Sequence, residues 1–133
     1  MTSGRPHRCS FCPPHIEAKV VERCGTVVAI ADEHPVTEGH MLVVPTRHTR
    51  DFFSMTSEEK KDADRLIQLL RRKIEASDPA VTGFNIGVNC GKSAGQTIMH
   101  AHIHLIPRRD GDIARPEGGV RGVIPDKREY SNG

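Results

Sequence analysis

The stretch GQTIMHAHIHLI, residues 95–106, decides how this chain is interpreted. Its second half alternates histidine with apolar residues, which is the period-two pattern of a β-strand, and we predict a strand over 97–106. In such a strand the side chains of His100, His102 and His104 share one face. Ala101 and its alternating apolar neighbours turn to the other face, toward a core. Three imidazoles side by side need partners such as a metal ion, a phosphate group or hydrogen bonds.

The rest of the pattern predicts an α+β domain with an antiparallel sheet of about five strands. Residues 57–76 carry apolar side chains at helical spacing behind a capping box of Thr56 and Glu59, which predicts one long helix with a solvated charged face. Pro13-Pro14 opens a short N-terminal helix that reaches about Lys19. The other strands are predicted from β-branched runs over 20–22, 26–31, 40–44 and 84–88, the first two as a hairpin around Cys24-Gly25.

Composition and charge limit the classes of protein to which this chain can belong. The 133 residues are 36% hydrophobic and 27% charged with a formal net charge of +2, which fits one globular domain over 1–133. The near-balanced charge and scarcity of aromatic residues argue against a nucleic-acid partner. No apolar run is long enough to cross a bilayer, and the N-terminus does not resemble a signal peptide, so we expect a cytoplasmic protein without a membrane partner.

The segment 108–133 is predicted to be a C-terminal extension. It is rich in arginine, glycine and proline and follows the last strand. The apolar residues within 118–125 favour a segment that docks on the domain or on a neighbouring subunit, and a solvated tail is the alternative. Such an extension could also close over a substrate.

Two other interpretations of the three histidines stay open at this point. They could be a coincidental surface cluster, or all three could bind one catalytic metal ion that activates water. Ligands at every second residue of a strand spread over roughly 13 Å at about 3.3 Å per residue, so a regular strand disfavours a single ion. Loop 89–95 favours an anion-binding site instead, because glycines such as Gly95 let backbone N–H groups come close to a bound anion.

The stretch 95–106 resembles the signature of the histidine-triad (HIT) family, His-x-His-x-His with apolar residues between. The segment GHMLVVP over 39–45 and the following His48 are also similar to that family, and the resemblance covers about residues 9–107. It implies a HIT-like fold and a nucleotide hydrolase or transferase that acts at the α-phosphate. It also implies a homodimer.

The resemblance implies a role for each matching residue. His102 matches the nucleophile that forms a covalent nucleotidyl-histidine, and His104 matches the residue that contacts the transferring phosphate or bridging oxygen. Residues matching the family's phosphate and ribose contacts are Asn89, Gln96 and Thr97. Asp32 matches the family's ribose-binding acid, although a turn residue before Pro35 is an equally good interpretation. A dinucleoside polyphosphate and a nucleoside phosphoramidate are both possible substrates, and a nucleotide sensor with little turnover is the rival function.

A zinc-binding subset of the family is similar in a further respect. Cys9-x-x-Cys12 has the spacing of a zinc knuckle, and His48 with His100 would complete a structural site. Two reduced cysteines without a metal are the alternative. No role is expected for the remaining cysteines and histidines beyond packing, surface or capping positions: Cys24, Cys90, His7, His15, His34 and His40.

Overall fold

The computed structural model describes residues 9–129, and they form one antiparallel sheet covered on one face by a long helix. The strands run in the order β1-β2-β3-β5-β4 across the sheet, and every neighbouring pair is antiparallel. In chain order the elements are β1 (Val20–Cys24), β2 (Val27–Ala31), β3 (Met41–Pro45), α1 (Ser57–Ser77), β4 (Val81–Gly87) and β5 (Ile103–Arg109). The predicted α+β class and five-stranded sheet are confirmed.

Helix α1 begins where the capping box predicts. The Thr56 hydroxyl accepts from the Glu59 N–H, and the Glu59 carboxylate accepts from the Thr56 N–H, so two otherwise unpaired donors of the first turn are satisfied. The expected fully solvated charged face is wrong in two places, since Glu59 and Asp62 are buried. Asp62 instead accepts from both the N–H and the hydroxyl of Thr26, which ties the helix to the β1–β2 turn.

The β1–β2 turn requires glycine. Gly25 has φ +56°, and a Cβ atom at this position would collide with the Asp62 carboxylate. The hairpin predicted around Cys24-Gly25 is therefore present, with a glycine that both turns the chain and admits a helix side chain.

Strand alternation divides the core into two clusters. On the helix face Val27, Ala29, Val43, Ile103 and Leu105 pack with the buried residues of α1. On the opposite face Val28, Ile30, Leu42 and Val44 pack with Phe11 and Ile16 from the N-terminal segment. That segment ends in a short 3-10 helix, Glu17–Lys19, where a short helix is predicted.

The predicted strand over 97–106 is wrong in its bounds. Strand β5 begins at Ile103, so His100 and His102 precede it and His104 alone of the triad lies within it. The pairing of β5 with β3 stops at Ile103 and Val43, and Pro45, two residues further along β3, has no N–H to donate to β5. The Ala101 N–H donates to the carbonyl of Thr49 in the loop after β3 instead.

Arg108 and Arg109 belong to strand β5, so the C-terminal extension leaves the sheet only after Arg109. The chain then forms two 3-10 helices, Gly119–Val123 and Pro125–Lys127. Gly119 lies against the Asn85 side chain of β4, which places this segment on the face of the sheet that α1 leaves uncovered. Within residues 9–129, no helix is long and apolar enough to cross a membrane.

Candidate functional site

The His102 ring is held in a single tautomer by the backbone. Its Nδ1 lies 2.8 Å from the carbonyl oxygen of His100, so Nδ1 carries the proton and donates it. Nε2 is then left with an unshared electron pair. The edge of the Phe11 ring packs against the imidazole with the ring centroids 5.1 Å apart, which limits its rotation. The His102 ring is therefore oriented, and its neutral form has the tautomer that a nucleophile requires.

A chain of hydrogen bonds fixes the tautomers of two further histidines. The Val36 N–H donates to His40 Nδ1 over 3.2 Å, so in the neutral ring the proton lies on Nε2. His40 Nε2 lies 2.9 Å from His104 Nδ1 and donates to it. His104 thus accepts at Nδ1 and carries its own proton on Nε2. Asp32 Oδ2 lies 3.4 Å from His40 Nε2 and 3.9 Å from His104 Nδ1. We call Asp32, His40 and His104 the histidine relay.

Burial keeps the relay histidines neutral. Desolvation lowers the pKa of His104, and the nearby His102 and His40 lower it further. Desolvation also lowers the pKa of His40, against the opposing charge of Asp32. The pair therefore stays uncharged at neutral pH, with a proton available at His104 Nε2 for an oxygen or nitrogen atom of a ligand.

A cleft of about 280 Å³ opens beside these rings. Six of the seven predicted catalytic and nucleotide-binding residues line it together: Asp32, Asn89, Gly95, Thr97, His102 and His104. Gly95 has φ +96°, which only glycine adopts readily and which turns the loop into the cleft. Asp32 has the predicted turn role, since its Oδ1 accepts from the His34 N–H, while Oδ2 faces His40. The ribose contact of Asp32 stays a prediction.

Gln96 is the predicted ligand contact that the structure does not bring into this cleft. It is buried, its Oε1 accepts from the Gly91 N–H, and its Nε2 donates to the carbonyls of Arg50 and Ile98. With both amide protons used, the side chain braces the loop that carries Gly95. A direct contact between Gln96 and a nucleotide stays a prediction.

The four predicted metal ligands converge on the other side of His102. One donor atom from each of Cys9, Cys12, His48 and His100 lies within 4.8 Å of the others. Cys9 Sγ and Cys12 Sγ lie 3.3 and 3.5 Å from His100 Nδ1, and Cys12 Sγ lies 3.1 Å from His48 Nδ1. Sulfur and nitrogen ligands of one tetrahedral zinc ion stand roughly 3.6 Å apart, so these residues fit zinc. We call these four residues the thiol cluster.

Protonation in the thiol cluster also suits a cation. His100 Nε2 donates to the carbonyl of Pro45 over 2.7 Å, which leaves the unshared pair of Nδ1 directed at the sulfur atoms. Burial and the neighbouring Cys9 together raise the pKa of the Cys12 thiol to about 12. Such a thiol keeps its proton at neutral pH until a metal ion replaces it.

The three triad histidines do not share one metal ion. The Nδ1 atom of His100 faces the thiols, that of His102 faces a backbone carbonyl, and that of His104 faces His40. The structure thus argues against both the single-metal interpretation and a coincidental surface cluster, since each ring has a distinct partner.

His40 is the functional residue that sequence reasoning missed. The sequence predicts a surface or capping residue, yet His40 is buried and its Nε2 lies 2.9 Å from His104 Nδ1. The observed β2–β3 register brings it there, because Ala31 pairs with Met41 and the N–H of the next residue, Asp32, donates to the carbonyl of His40. His15 and His34 are exposed as expected, and His7 lies outside the described residues.

Comparison with known proteins decides the family. The model of the HIT domain matches residues 14–111, well over half of the chain. This chain belongs to the HIT family. An uncharacterized HIT-like protein of Mycobacterium tuberculosis is 39% identical over 120 residues, covering 90% of this chain and 83% of the relative. The HIT family includes nucleotide hydrolases, and its members bind nucleotide substrates.

Two further similarities bear on chemistry. The asymmetrical bis(5'-nucleosyl)-tetraphosphatase of Schizosaccharomyces pombe is 30% identical over 109 residues, which cover 82% of this HIT chain and 59% of that enzyme. The crystal structure of a Zn-bound histidine triad family protein from Mycobacterium smegmatis superposes with a TM-score of 0.73 at 32% identity, covering 83% of this chain and 81% of that one. The thiol cluster is compatible with a zinc ion of this kind.

Proposed function

We propose that this HIT protein hydrolyses or transfers nucleotides by forming a covalent nucleotidyl-histidine at His102. One observation carries the proposal: His102 presents an unprotonated Nε2 beside the neutral His104, in a cleft that also holds Asp32. Nε2 attacks the α-phosphorus, and the bond from phosphorus to the leaving group breaks. The leaving atom takes the proton from His104 Nε2. Water then cleaves the phosphorus–nitrogen bond: its oxygen joins the phosphorus, and one of its protons returns to His104 Nε2. This step releases a nucleoside monophosphate and restores both His102 and His104.

The surrounding residues have supporting roles in this proposal. The Asp32 carboxylate accepts from the ribose hydroxyls, while Asn89, Thr97 and backbone N–H groups near Gly95 hold phosphate oxygens. Because His40 is fixed as a donor toward His104 Nδ1, it is a positioning residue that keeps the His104 proton on the catalytic side. Gln96 holds the Gly95 loop through its three hydrogen bonds.

A zinc ion in the thiol cluster is proposed as a structural element. Cys9, Cys12, His48 and His100 would hold it, and it would supply a crosslink between the N-terminal segment and the residue whose carbonyl orients His102. Metal analysis of the purified protein tests this, with about one zinc per chain expected. Reduced thiols belong to a reducing compartment, and we place the protein in the cytoplasm.

We also propose that the chain forms a homodimer. Strand β4 lies at the edge of the sheet and leaves Ile86 52% exposed, which favours pairing with a second copy along this edge. Light scattering of the purified protein tests the proposal, and a monomer mass at micromolar concentration would contradict it.

Trapping of the intermediate tests the enzymatic proposal. Protein mixed with a nucleoside phosphoramidate labelled at the α-phosphate and quenched in base should carry label that acid removes, because the bond from phosphorus to imidazole nitrogen is acid-labile. The label should be absent from His102→Ala and present in a His15→Ala control, since His15 is exposed and outside the cleft. Nucleotide binding with neither label nor product would indicate the sensor function instead.

A further inference from the structure

The two residues between the cysteines of the thiol cluster line the cleft beside His102. Ser10 and Phe11 separate Cys9 from Cys12 in the chain, and both lie on the cleft that His102 also lines. Phe11 is buried, and the edge of its ring packs against the His102 imidazole. A rearrangement of the two sulfur atoms therefore moves residues that form a wall of this cleft.

The turn that holds the two cysteines can accommodate a disulfide. The Cys12 N–H donates to the carbonyl of Cys9 over 3.1 Å, so residues 9–12 form a β-turn, whose end Cα atoms lie less than about 7 Å apart. That spacing overlaps the range of roughly 4.4–6.8 Å found for disulfide-linked cysteines. The two Sγ atoms lie within 4.8 Å of each other. Rotation of the two side chains, with a small movement of the turn, therefore brings the sulfur atoms to bonding distance.

The reduced and oxidised forms of this pair make different contacts. In the reduced form both Sγ atoms face His100 Nδ1, and Cys12 Sγ also faces His48 Nδ1. In a disulfide the sulfur atoms are about 2.05 Å apart and bonded to each other, and neither is a thiolate that can bind a metal ion. The turn then loses its attachment to the two histidines. The residues between the cysteines lose the anchors on either side of them.

We propose that Cys9 and Cys12 are a site of reversible oxidation, and that their disulfide weakens nucleotide binding in the adjoining cleft. Hydrogen peroxide is the oxidant. Cys9 is half-buried, and its thiolate attacks one peroxide oxygen, forming a sulfenic acid and releasing hydroxide. The thiolate of the buried Cys12 then attacks the Cys9 sulfur and displaces a second hydroxide.

Electrons and protons balance in both directions. Each sulfur atom loses one electron, the peroxide gains both, and the two hydroxides take up two protons to become water. A dithiol such as dithiothreitol returns two electrons and two protons to the pair and is itself oxidised to a disulfide. The inference rests on the proposed function for nucleotide binding in this cleft, and it does not depend on catalysis at His102.

Oxidation of the full chain tests the inference. The variant Cys24→Ala/Cys90→Ala retains Cys9 and Cys12 as its only cysteines. Hydrogen peroxide should lower its mass by two hydrogen atoms, place the disulfide in the peptide that contains both cysteines, and release any bound zinc to a chromophoric indicator. Calorimetric titration with AMP should give a Kd about 10-fold higher for the oxidised protein, a usual size of coupling between two sites. Dithiothreitol and zinc should restore the original Kd.

A second measurement uses the reciprocity of coupled equilibria. If the disulfide weakens AMP binding, saturating AMP must favour the dithiol by the same factor. The ratio of reduced to oxidised protein at equilibrium in a glutathione redox buffer should therefore rise about 10-fold when AMP is added. This measurement keeps both cysteines in place, so it needs no variant of the thiol cluster.

The outcomes separate this inference from the proposed function. Oxidation of Cys9 to sulfinic acid without a disulfide overturns the inference, and so does a mapped disulfide with an unchanged Kd. Cys9→Ser is the control, and peroxide should leave its Kd for AMP unchanged. An equal change in this control would place the effect elsewhere and contradict the inference. If the reduced protein does not bind AMP, the inference fails with the proposed nucleotide site. If the Kd shifts as expected and no substrate is turned over, the enzymatic proposal fails and the oxidation site stands.

Discussion

The two residue clusters that flank His102 use the same side chain for different chemistry. In the thiol cluster, His100 turns an unshared pair toward two sulfur atoms, and its ring is fully enclosed. In the histidine relay, His104 turns an unshared pair toward another imidazole and remains partly open to the cleft. The partner of the other ring nitrogen decides the role in each case. When a backbone carbonyl accepts a hydrogen bond from one ring nitrogen, the other nitrogen has an unshared pair that can bind a metal ion. When a donor faces one nitrogen of a neutral ring, the other nitrogen carries the proton and donates it.

His102 stands between these clusters and depends on both. Its proton is held by the carbonyl of His100, and its ring lies 5.3 Å from that of His104 between centroids. We therefore propose three separate functions along five residues: a structural ligand, a nucleophile and a proton donor. Each can be removed singly.

Removal of the nucleophile should have the largest effect. His102→Ala is expected to lower kcat on the order of 10³-fold or more, since it removes the proposed nucleophile. Both flanking clusters should persist, so metal content and Tm should match those of the parent protein. Zinc loss in this variant would contradict the separation of roles. His15→Ala serves as the control.

Disruption of the thiol cluster should act on stability first. Cys12→Ala is expected to abolish metal binding and to lower Tm by about 10 °C, because a buried ligand set is left incomplete. Activity should fall as well, as the His100 carbonyl loses its fixed position. Cys90→Ala is the matched control, because Cys90 lies outside the cluster and should retain both metal and Tm. An unchanged Tm in Cys12→Ala would show that this cluster holds no structural metal.

Disruption of the relay should act mainly on catalysis. In His40→Asn the side-chain oxygen can still accept from Val36, while the donor to His104 is displaced. We expect kcat to fall about 10- to 100-fold, more for amine leaving groups of high pKa than for good leaving groups. Metal content should be unaffected. An equal loss for good and poor leaving groups would contradict a role in proton delivery.

The smallest effect should be on the pH dependence of stability. Because burial lowers the pKa of His40 and His104 in the folded protein, the unfolded chain binds more protons than the folded one as the pH falls below about 6.5. Their contribution to stability is therefore complete above this pH and decreases as the pH falls toward the folded-state pKa values. Thermal unfolding of the zinc-loaded protein between pH 8 and 5 should show this decrease, and His40→Asn should show a shallower one. Equal slopes would contradict the assignment.

Local sequence patterns were sufficient for much of the fold. The capping box before α1, the hairpin at Gly25 and the alternating strands are encoded by residues close together in the chain, and all are found in the structure. The start of β5 was misplaced by six residues because the pattern of alternation continues through residues that have no partner strand. Where a strand ends depends on its neighbour, and here Pro45 ends the neighbour.

Members of the site could be predicted where the residue types and their spacing indicate a particular chemistry. A Cys-x-x-Cys pair and a histidine triad carry strong signals. The structure brings the four predicted metal ligands together and places His102 and His104 on one cleft. His40 was missed because it is a single histidine whose partner lies 64 positions away, so its role exists only in the folded sheet. Gln96 shows a different limit, since its side chain makes three intramolecular hydrogen bonds that no sequence pattern reveals. Its contact with a nucleotide stays a prediction.

The separation between the members of the thiol cluster has a consequence for the denatured chain. Cys9 lies 91 positions from His100, and Cys12 lies 36 positions from His48. An ion that kept these ligands during unfolding would hold the chain in nested rings and remove conformational entropy worth on the order of 4 kcal/mol by the loop-closure argument for covalent crosslinks. Small-angle scattering in denaturant, with and without a chelator, would then report a larger radius of gyration once the rings open.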